Sequence, residues 1–448
     1  MNSQTKAAAA QPAQGHNSLA AALSDAVARF VAANPESRAM HERAKAVMPG
    51  GNTRTVLYYS PFPLTMTTGW GCRLKDADGH TYVDFLGEFT AGLYGHSDPV
   101  IAEAIGKAVA NGLNLGSHGP NEAEFAELVK QRFPSMELMR FTNSGTEANM
   151  LALALAKHAT GRPKVMVFEG AYHGGTLTFP AAKVPVNIPH DYVFARYNEV
   201  EATRAVIREN AADLACVIVE PMMGSGGCIP GDQAFLDMLR AETKDAGIVL
   251  IFDEVMTSRL SPGGRQAVLG IRPDLTTLGK YIGGGMSFGA FGGSAELMAN
   301  FDPGRPGSLP HAGTFNNNVL TMAAGLAGLK HRFTPEAAVA LNQRGDALRT
   351  RLNAIFAAAG VSIRAAGIGS LMNIHPVGTE PRRPADLAAA DQRMRDLIFF
   401  DLLEDGFYTA RRGLMALSLA IGDAEVDALV AAVEKRAPRW KALMGAMD

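Results

Sequence analysis

Two side chains in the second half of the chain could carry chemistry together. They are Asp253, in Ile251-Phe-Asp-Glu-Val255, and Lys280, in Thr276-Thr-Leu-Gly-Lys280. Each ends a short apolar run that reads as a buried strand, and 27 positions separate them. Open parallel sheets bind ligands beyond the carboxyl ends of their strands, so both side chains should face one crevice. A lysine amine there can form a Schiff base. A carboxylate there can keep a pyridine nitrogen protonated, so that the ring takes up the electrons of a carbanion. Among common cofactors, pyridoxal 5'-phosphate requires that pair. Either residue alone is ordinary, a lysine beside a glycine turn or an aspartate at a strand end.

Such a cofactor needs a phosphate site, and Phe141-Thr-Asn-Ser-Gly-Thr-Glu-Ala-Asn149 supplies one. A strand runs into the turn Ser144-Gly145-Thr146 and then into an Ala/Leu-rich helix. Free amides, the positive helix end and two hydroxyls suit a dianion; an ordinary helix cap has the same sequence. In Glu169-Gly-Ala-Tyr-His-Gly-Gly175, Tyr172 stands after another strand and could stack on the ring. His173 reads equally as a turn histidine bonded to backbone. Glu220 closes the strand expected at Leu214–Val219, and Gly224-Ser-Gly-Gly227 would let a loop approach the cofactor. Val255, two residues past Asp253, shares its face and packs under the ring or in the core. Carboxylate substrates call for arginine, whose planar fork matches two oxygens. Arg54, just past Pro49-Gly-Gly51, and Arg412 are the candidates, with Glu220 a partner for Arg412 when it is idle.

Other chemistries lack their anchors. There is no GxGxxG, GxxxxGK[ST], HExxH or EF-hand loop, so nucleotide and metalloprotease readings have no support. Gly285-Met-Ser-Phe-Gly289 matches GxSxG, but a nucleophile elbow needs a strand before and a helix after it. Here glycines precede the serine and a β-like stretch follows. No metal site is expected.

The elements that must position these residues follow from apolar period and turn signals. Helices are expected from Leu19 to the break at Asn34-Pro35, then to Pro49, and a strand-rich patch at 58–64 and 72–85 with Asp78-Gly79 as its turn. Beyond Asp98-Pro99, strands at 137–142, 164–168, 214–219, 248–252 and 275–278 alternate with helices at 149–158 and 233–244. That pattern predicts an α/β protein with a largely parallel sheet covered on both faces. The last third carries helices at 337–358, 387–404 and 423–443 around apolar patches at 369–375 and 415–421. The expected organisation is a disordered tail (1–18), a first part of a small α+β domain (19–90), a large cofactor-binding domain (91–330) and the rest of the small domain (331–448).

Composition agrees with an enzyme of this kind. The chain has 448 residues with 42 Lys+Arg against 44 Asp+Glu, a net charge of −2 that excludes a strongly basic nucleic-acid binder. No apolar run reaches the roughly 18 residues of a membrane span. Three cysteines without a CxxC pair speak against disulfides or structural zinc, so a reducing cytoplasm is expected. The first residues lack the long apolar core of a secretory signal.

The motifs also resemble a family. Asn-Ser-Gly-Thr-Glu-Ala-Asn at 143–149, the Tyr-His pair, Ile-Val-Glu-Pro at 218–221, Phe-Asp-Glu-Val, Thr-Leu-Gly-Lys with its glycines, and Gly-Thr-Phe-Asn-Asn-Asn at 313–318 are arranged as in class III aminotransferases. These are fold-type-I pyridoxal-phosphate enzymes. The resemblance spans about residues 40–425. It is nearest to the glutamate-1-semialdehyde aminomutase branch and, within it, to bacterial β-amino-acid (β-phenylalanine) aminotransferases. It implies a fold-type-I transferase with a central, mostly parallel sheet flanked by helices. The implied reaction moves the amine of a β-amino acid to 2-oxoglutarate or pyruvate. Lys280 is then the Schiff-base lysine and Asp253 the pyridinium partner. Ser144, Gly145 and Thr146 hold the phosphate, Tyr172 stacks, and Arg54 binds the donor's carboxylate. Thr314 reaches the cofactor phosphate of a neighbouring subunit, which makes the expected assembly a homodimer with shared sites. The aminomutases carry an acidic gating residue before their Ser-Leu-Ala segment, where this chain has Arg411-Arg412-Gly-Leu-Met415. That departure favours transamination over amine transfer within one intermediate. An aminomutase or another ω-amino-acid transaminase is the alternative enzyme, and a binding or regulatory protein the alternative class.

Overall fold

The computed structural model describes residues 18–180 and 184–445. The expected tail lies outside the described residues except for Ser18, whose hydroxyl accepts the amide of Ala21 and caps the first helix, Leu19–Ala33. Pro35 then starts the second helix, Pro35–Lys45, at the position where its missing N–H costs nothing.

Seven strands form the central sheet: β1 (Leu138–Thr142), β2 (Lys164–Phe168), β3 (Asp191–Ala195), β4 (Leu214–Val219), β5 (Val249–Asp253), β6 (Leu275–Gly279) and β7 (Gly289–Gly293). Their order is β1-β7-β6-β5-β4-β2-β3. Pairing is parallel from β6 to β3, and β7 runs antiparallel to both β6 and β1. Every residue of β4, β5 and β6 is buried, as continuous apolar runs require when both sheet faces are covered. The helix Gly145–Thr160 lies against the middle strands, and Gln233–Asp245 against β4 and β5.

The chain ends meet. A four-stranded sheet joins Met66–Trp70, Arg73–Asp76 and Thr81–Asp84 to Phe407–Tyr408, and the first helix packs on Gln392–Glu404. A three-stranded sheet (Arg364–Ile368, Leu371–His375, Leu414–Ala416) completes this region.

One expectation fails locally. Residues 58–64 form no strand: Pro61 and Pro63 have no N–H to give a ladder. Tyr59 and Phe62 fill the aromatic cluster with Phe30, Phe399 and Phe400 instead, at centroid distances of 5.0–6.3 Å. The β-like stretch after Ser287 is strand β7, and the packing demands its three glycines. A Cβ on Gly289 would lie 2.1 Å from the Ser144 carbonyl, and one on Gly292 2.6 Å from the Leu138 carbonyl. The missing side chains let β7 slide in beside β1 and under the turn that follows it.

Candidate active site

Asp253 and Lys280 stand at the carboxyl ends of adjacent parallel strands. Asp253 pairs in register with Thr277, and Lys280 begins the short turn after β6. Lys280 is left-handed (φ 57°), a conformation that a lysine holds only when its surroundings impose it. Here the glycines on either side, Gly279 and Gly283 to Gly285, let the chain make that turn close to its neighbours.

Asp253 is 4% exposed, and three donors fix its carboxylate. Oδ2 accepts from Asn149 Nδ2 (2.8 Å) and His173 Nδ1 (2.8 Å), and Oδ1 from the Val255 amide (3.0 Å). The second proton on Asn149 Nδ2 goes to the His173 carbonyl at 2.8 Å, while Asn149 Oδ1 accepts from the Thr277 hydroxyl at 2.6 Å. The Asp253 carboxylate and the His173 carbonyl can only accept, so they decide which way the amide faces. His173 is therefore a buried partner of Asp253 rather than a backbone-bonded turn residue, and its Nε2 has no partner.

Lys280 is partly buried and its ammonium makes no hydrogen bond. Desolvation brings its pKa down to about 8. The charges of Asp253 and Glu220 push it back up, and those of Arg412 and Arg259 push it further down. The ammonium thus gives up its proton far more readily than an ordinary lysine, within about a unit of physiological pH, while the Asp253 carboxylate lies near enough to oppose that shift.

The turn at 144–146 is a helix N-terminus with a built cap. Ser144 Oγ accepts the Glu147 amide (3.2 Å) and Glu147 returns its carboxylate to the Asn143 amide (2.8 Å). Gly145 and Thr146, the first helical residues, keep amides with no acceptor in the helix. A Cβ on Gly145 would lie 2.7 Å from Val255 Cγ2, and one on Gly279 3.2 Å from Val255 Cγ1. Val255 thus packs under the turn, beside the strand end that carries Asp253. Thr146 Oγ1 accepts the Gly175 amide at 3.3 Å, and Gly174 (φ 130°) leaves no room for a Cβ against Thr146.

Around this floor stand the remaining candidates. Tyr172 is 45% exposed, with its amide on Glu220 Oε1 (3.0 Å). Glu220 is buried, holds the Gly224 amide through Oε2 (2.9 Å), and has its pKa pushed up to about 7 by burial. It does not bond Arg412, contrary to expectation. Arg412 lies 5.7 Å over the Phe89 ring and donates Nη1 to Ser225 Oγ (2.9 Å), leaving Nε buried without a partner. Arg54 pairs through Nη2 with Glu88 Oε1 (2.7 Å), with half its side chain exposed. Burial pushes the Tyr172 phenol's pKa up, and the charges of Arg412 and Arg54 oppose that push. Thr314 lies in an exposed turn tied to the start of the helix Gly145–Thr160 through Asn316 Oδ1 and Asn143 Nδ2 (3.0 Å). Sequence reasoning missed Asn149, Thr277, Ser225, Glu88 and Phe89. Only Asn149 gave a signal, a polar residue on the apolar side of its helix.

A phosphorylated pyridine aldehyde fits these residues. An unbonded amine, a fixed buried carboxylate, a free pair of helix amides and an unpartnered buried imidazole nitrogen surround one crevice. A sheet of this order with its chemistry at the strand ends is that of the fold-type-I transferases. The chain belongs to the class-III aminotransferase family, whose sequence profile matches residues 57–435.

Among individual proteins, the chain is 54% identical to the β-phenylalanine transaminase of Variovorax paradoxus over 93% of its length and 96% of that protein's. The crystal structure of the β-phenylalanine aminotransferase from that organism superposes with a TM-score of 0.92, covering 93% of this chain and 97% of that one. A solved transaminase with pyridoxal phosphate bound is 33% identical, with a TM-score of 0.84 over 93% of this chain and 99% of that one. The glutamate-1-semialdehyde aminomutase of Methanothermobacter thermautotrophicus is 36% identical over 83% of this chain and 91% of that protein.

Proposed function

We propose that this aminotransferase takes the amine of an aromatic β-amino acid such as β-phenylalanine and delivers it to 2-oxoglutarate or pyruvate, with pyridoxal phosphate as its cofactor. The observation that carries this reading is the placement of two arginines on one turn, Arg54 on Glu88 and Arg412 over Phe89. A donor and an acceptor that each bear a carboxylate need such cations. The near-full-length identity to a β-phenylalanine transaminase supports the choice of donor.

Ser144, Gly145 and Thr146 hold the cofactor's phosphate, Tyr172 and Val255 flank its ring, and His173 and Glu220 border it. Thr314 serves the site of a second subunit in a homodimer. When bound, the cofactor supplies an electron-withdrawing ring that makes the proton on the amine-bearing carbon acidic. Asp253, fixed by Asn149, His173 and the Val255 amide, keeps a negative charge aimed into the crevice. Lys280 Nζ, which burial makes easier to deprotonate, would in its unprotonated form take the proton from the amine-bearing carbon of the substrate and give it up again to the bound cofactor. One amine does both transfers, so no histidine dyad is needed. Arg54 clamps the donor's carboxylate, and Arg412 leaves Ser225 to meet the distal carboxylate of 2-oxoglutarate.

The division into a large domain at 91–330 and a small one from 19–90 and 331–448 belongs to the same proposal, as does a cytoplasmic location. Among the described residues no helix is long and apolar enough to cross a membrane. The test is single-turnover mixing of loaded enzyme with β-phenylalanine, with α-phenylalanine or with glutamate 1-semialdehyde. Loss of the cofactor's aldehyde absorbance with β-phenylalanine, and its recovery with 2-oxoglutarate or pyruvate, is the expected result. Faster isomerisation of glutamate 1-semialdehyde would replace this reading with the aminomutase one. Sedimentation at several concentrations tests the homodimer.

A further inference from the structure

The segment Gly87-Glu-Phe-Thr90 is a turn of left-handed helix, with φ of 55°, 47°, 52° and 81° at four successive residues. Three of them carry side chains, which makes the conformation costly and local propensity no explanation for it. The surroundings impose it. Asp84 Oδ1 takes the amides of Leu86 (2.9 Å) and Gly87 (3.0 Å), and the Gly92 amide closes on the Gly87 carbonyl at 2.8 Å. A Cβ on Gly87 would press on the Ala416 carbonyl at 3.1 Å, and the buried Arg259 donates to the Thr90 carbonyl at 3.3 Å. The turn is clamped from both chain ends.

What the clamped turn presents is specific. Its second residue, Glu88, holds Arg54 at 2.7 Å through a single nitrogen, Nη2. Its third, Phe89, lies under the guanidinium of Arg412 at 5.7 Å. The rest of Arg54's fork is left free by that one-point contact, and the other edge of a guanidinium can still take a carboxylate in two bonds. An arginine with half its surface in water would otherwise wander among rotamers. Strain held at a functional site is a means of preorganisation.

We propose that this turn is a common mount for both substrate arginines, with Glu88 a positioning residue for the donor's carboxylate and Phe89 one for the acceptor's distal carboxylate. The proposal rests on the assignment of Arg54 and Arg412 made above. It separates the two half-reactions by residue, which a merely structural turn would not do. Glu88→Gln keeps the shape and removes the charge; Phe89→Leu keeps an apolar contact and removes the ring face.

The experiment measures each half-reaction alone in Glu88→Gln, Phe89→Leu, Arg54→Ala, Arg412→Ala and the double variant Arg54→Ala/Glu88→Gln. In Glu88→Gln the KM for β-phenylalanine should rise roughly 3- to 5-fold, the range of an exposed ion pair. Its kcat and its 2-oxoglutarate-to-pyruvate preference should stay as they are. In Phe89→Leu that preference should fall by about 3-fold or more, as expected for a lost cation–π contact. Glu88→Gln should add nothing once Arg54 is gone. A donor KM that stays level or drops in Glu88→Gln, while Arg54→Ala raises it, overturns the mount for Arg54. An unchanged acceptor preference in Phe89→Leu, while Arg412→Ala shifts it, overturns the mount for Arg412. If Arg54→Ala and Arg412→Ala themselves leave both substrates untouched, the assignment of the arginines has failed and the proposal falls with it.

Discussion

Replacing Asp253 by Asn probes the account where its geometry is most complete. The carboxylate is met by donors on both oxygens: Asn149 and His173 on Oδ2, the Val255 amide on Oδ1. An amide of the same shape has one acceptor and one donor, so whichever way it turns its NH2 faces an N–H. One bond at a buried site must be lost, which costs about 1–3 kcal/mol of stability. The effect on the reaction is separate and larger. Removing a preorganised electrostatic group costs about 10²- to 10³-fold in rate, or roughly 2.7–4 kcal/mol. Single-turnover rates with β-phenylalanine, beside thermal unfolding of the same sample, measure both. The neutral variant should keep its cofactor, unfold somewhat earlier and react at least about 10²-fold more slowly. It should also lower the Lys280 pKa further, because the Asp253 charge is one of the groups holding it up. A donor half-reaction within about 5-fold of the wild type would refute the reasoning, since a loss of only 1 kcal/mol is too small for this role.

Further expectations follow from neighbouring residues. Lys280 is lowered from 10.5 to about 8, and the amine acts as a base only when unprotonated. The donor half-reaction should therefore rise with pH through about 8, and the limb should move to higher pH in Arg412→Ala, which removes a repelling charge. For stability the sign is the same: the unfolded chain binds the proton more tightly, so this residue's burial penalty is full below about 8 and relieved as pH rises towards 10.5. Asn149→Asp puts a second carboxylate against Asp253 and should cost about 10-fold or more in rate. Thr277→Val, which loses the hydroxyl on Asn149, should cost less, and Thr277→Ser, which keeps it, should react nearly as the wild type; damage in Thr277→Ser with none in Thr277→Val would show that volume rather than the hydroxyl matters. Borohydride treatment of the loaded enzyme should fix the cofactor on Lys280, as read by peptide mass mapping, and a label on another lysine would defeat the assignment.

Much of the scaffold was legible because buried parallel strands are short apolar runs that end at turn signals. Strands β2 and β4 stand where the sequence placed them, β1 and β6 differ by a residue at one end, and β5 is shifted by one residue at both ends. The same logic put Asp253 and Lys280 at strand ends. It missed β3, an edge strand with mixed exposure, and read β7 only as a β-like stretch, whose glycines serve backbone approach rather than any strand propensity. It misread 58–64, where aromatic residues suggested a strand but two prolines forbid one. The interactions around the site were harder to read for another reason. Asn149 reaches Asp253 across 104 positions and Glu88 reaches Arg54 across 34, through a left-handed turn made by residues that rarely adopt it. No local pattern encodes such a contact; the clamp by Asp84, Ala416 and Arg259 creates it.

The central claim is that nitrogen passes from a β-amino acid to a keto acid by way of the cofactor, with Lys280 moving the protons. Following isotope-labelled nitrogen from β-phenylalanine into glutamate, with 2-oxoglutarate as acceptor, tests it most directly. The wild-type protein should place the label in glutamate, and Lys280→Ala, folded and supplied with cofactor, should place none there. Unlabelled glutamate from the wild type, or label transferred by the variant at a comparable rate, would contradict the account.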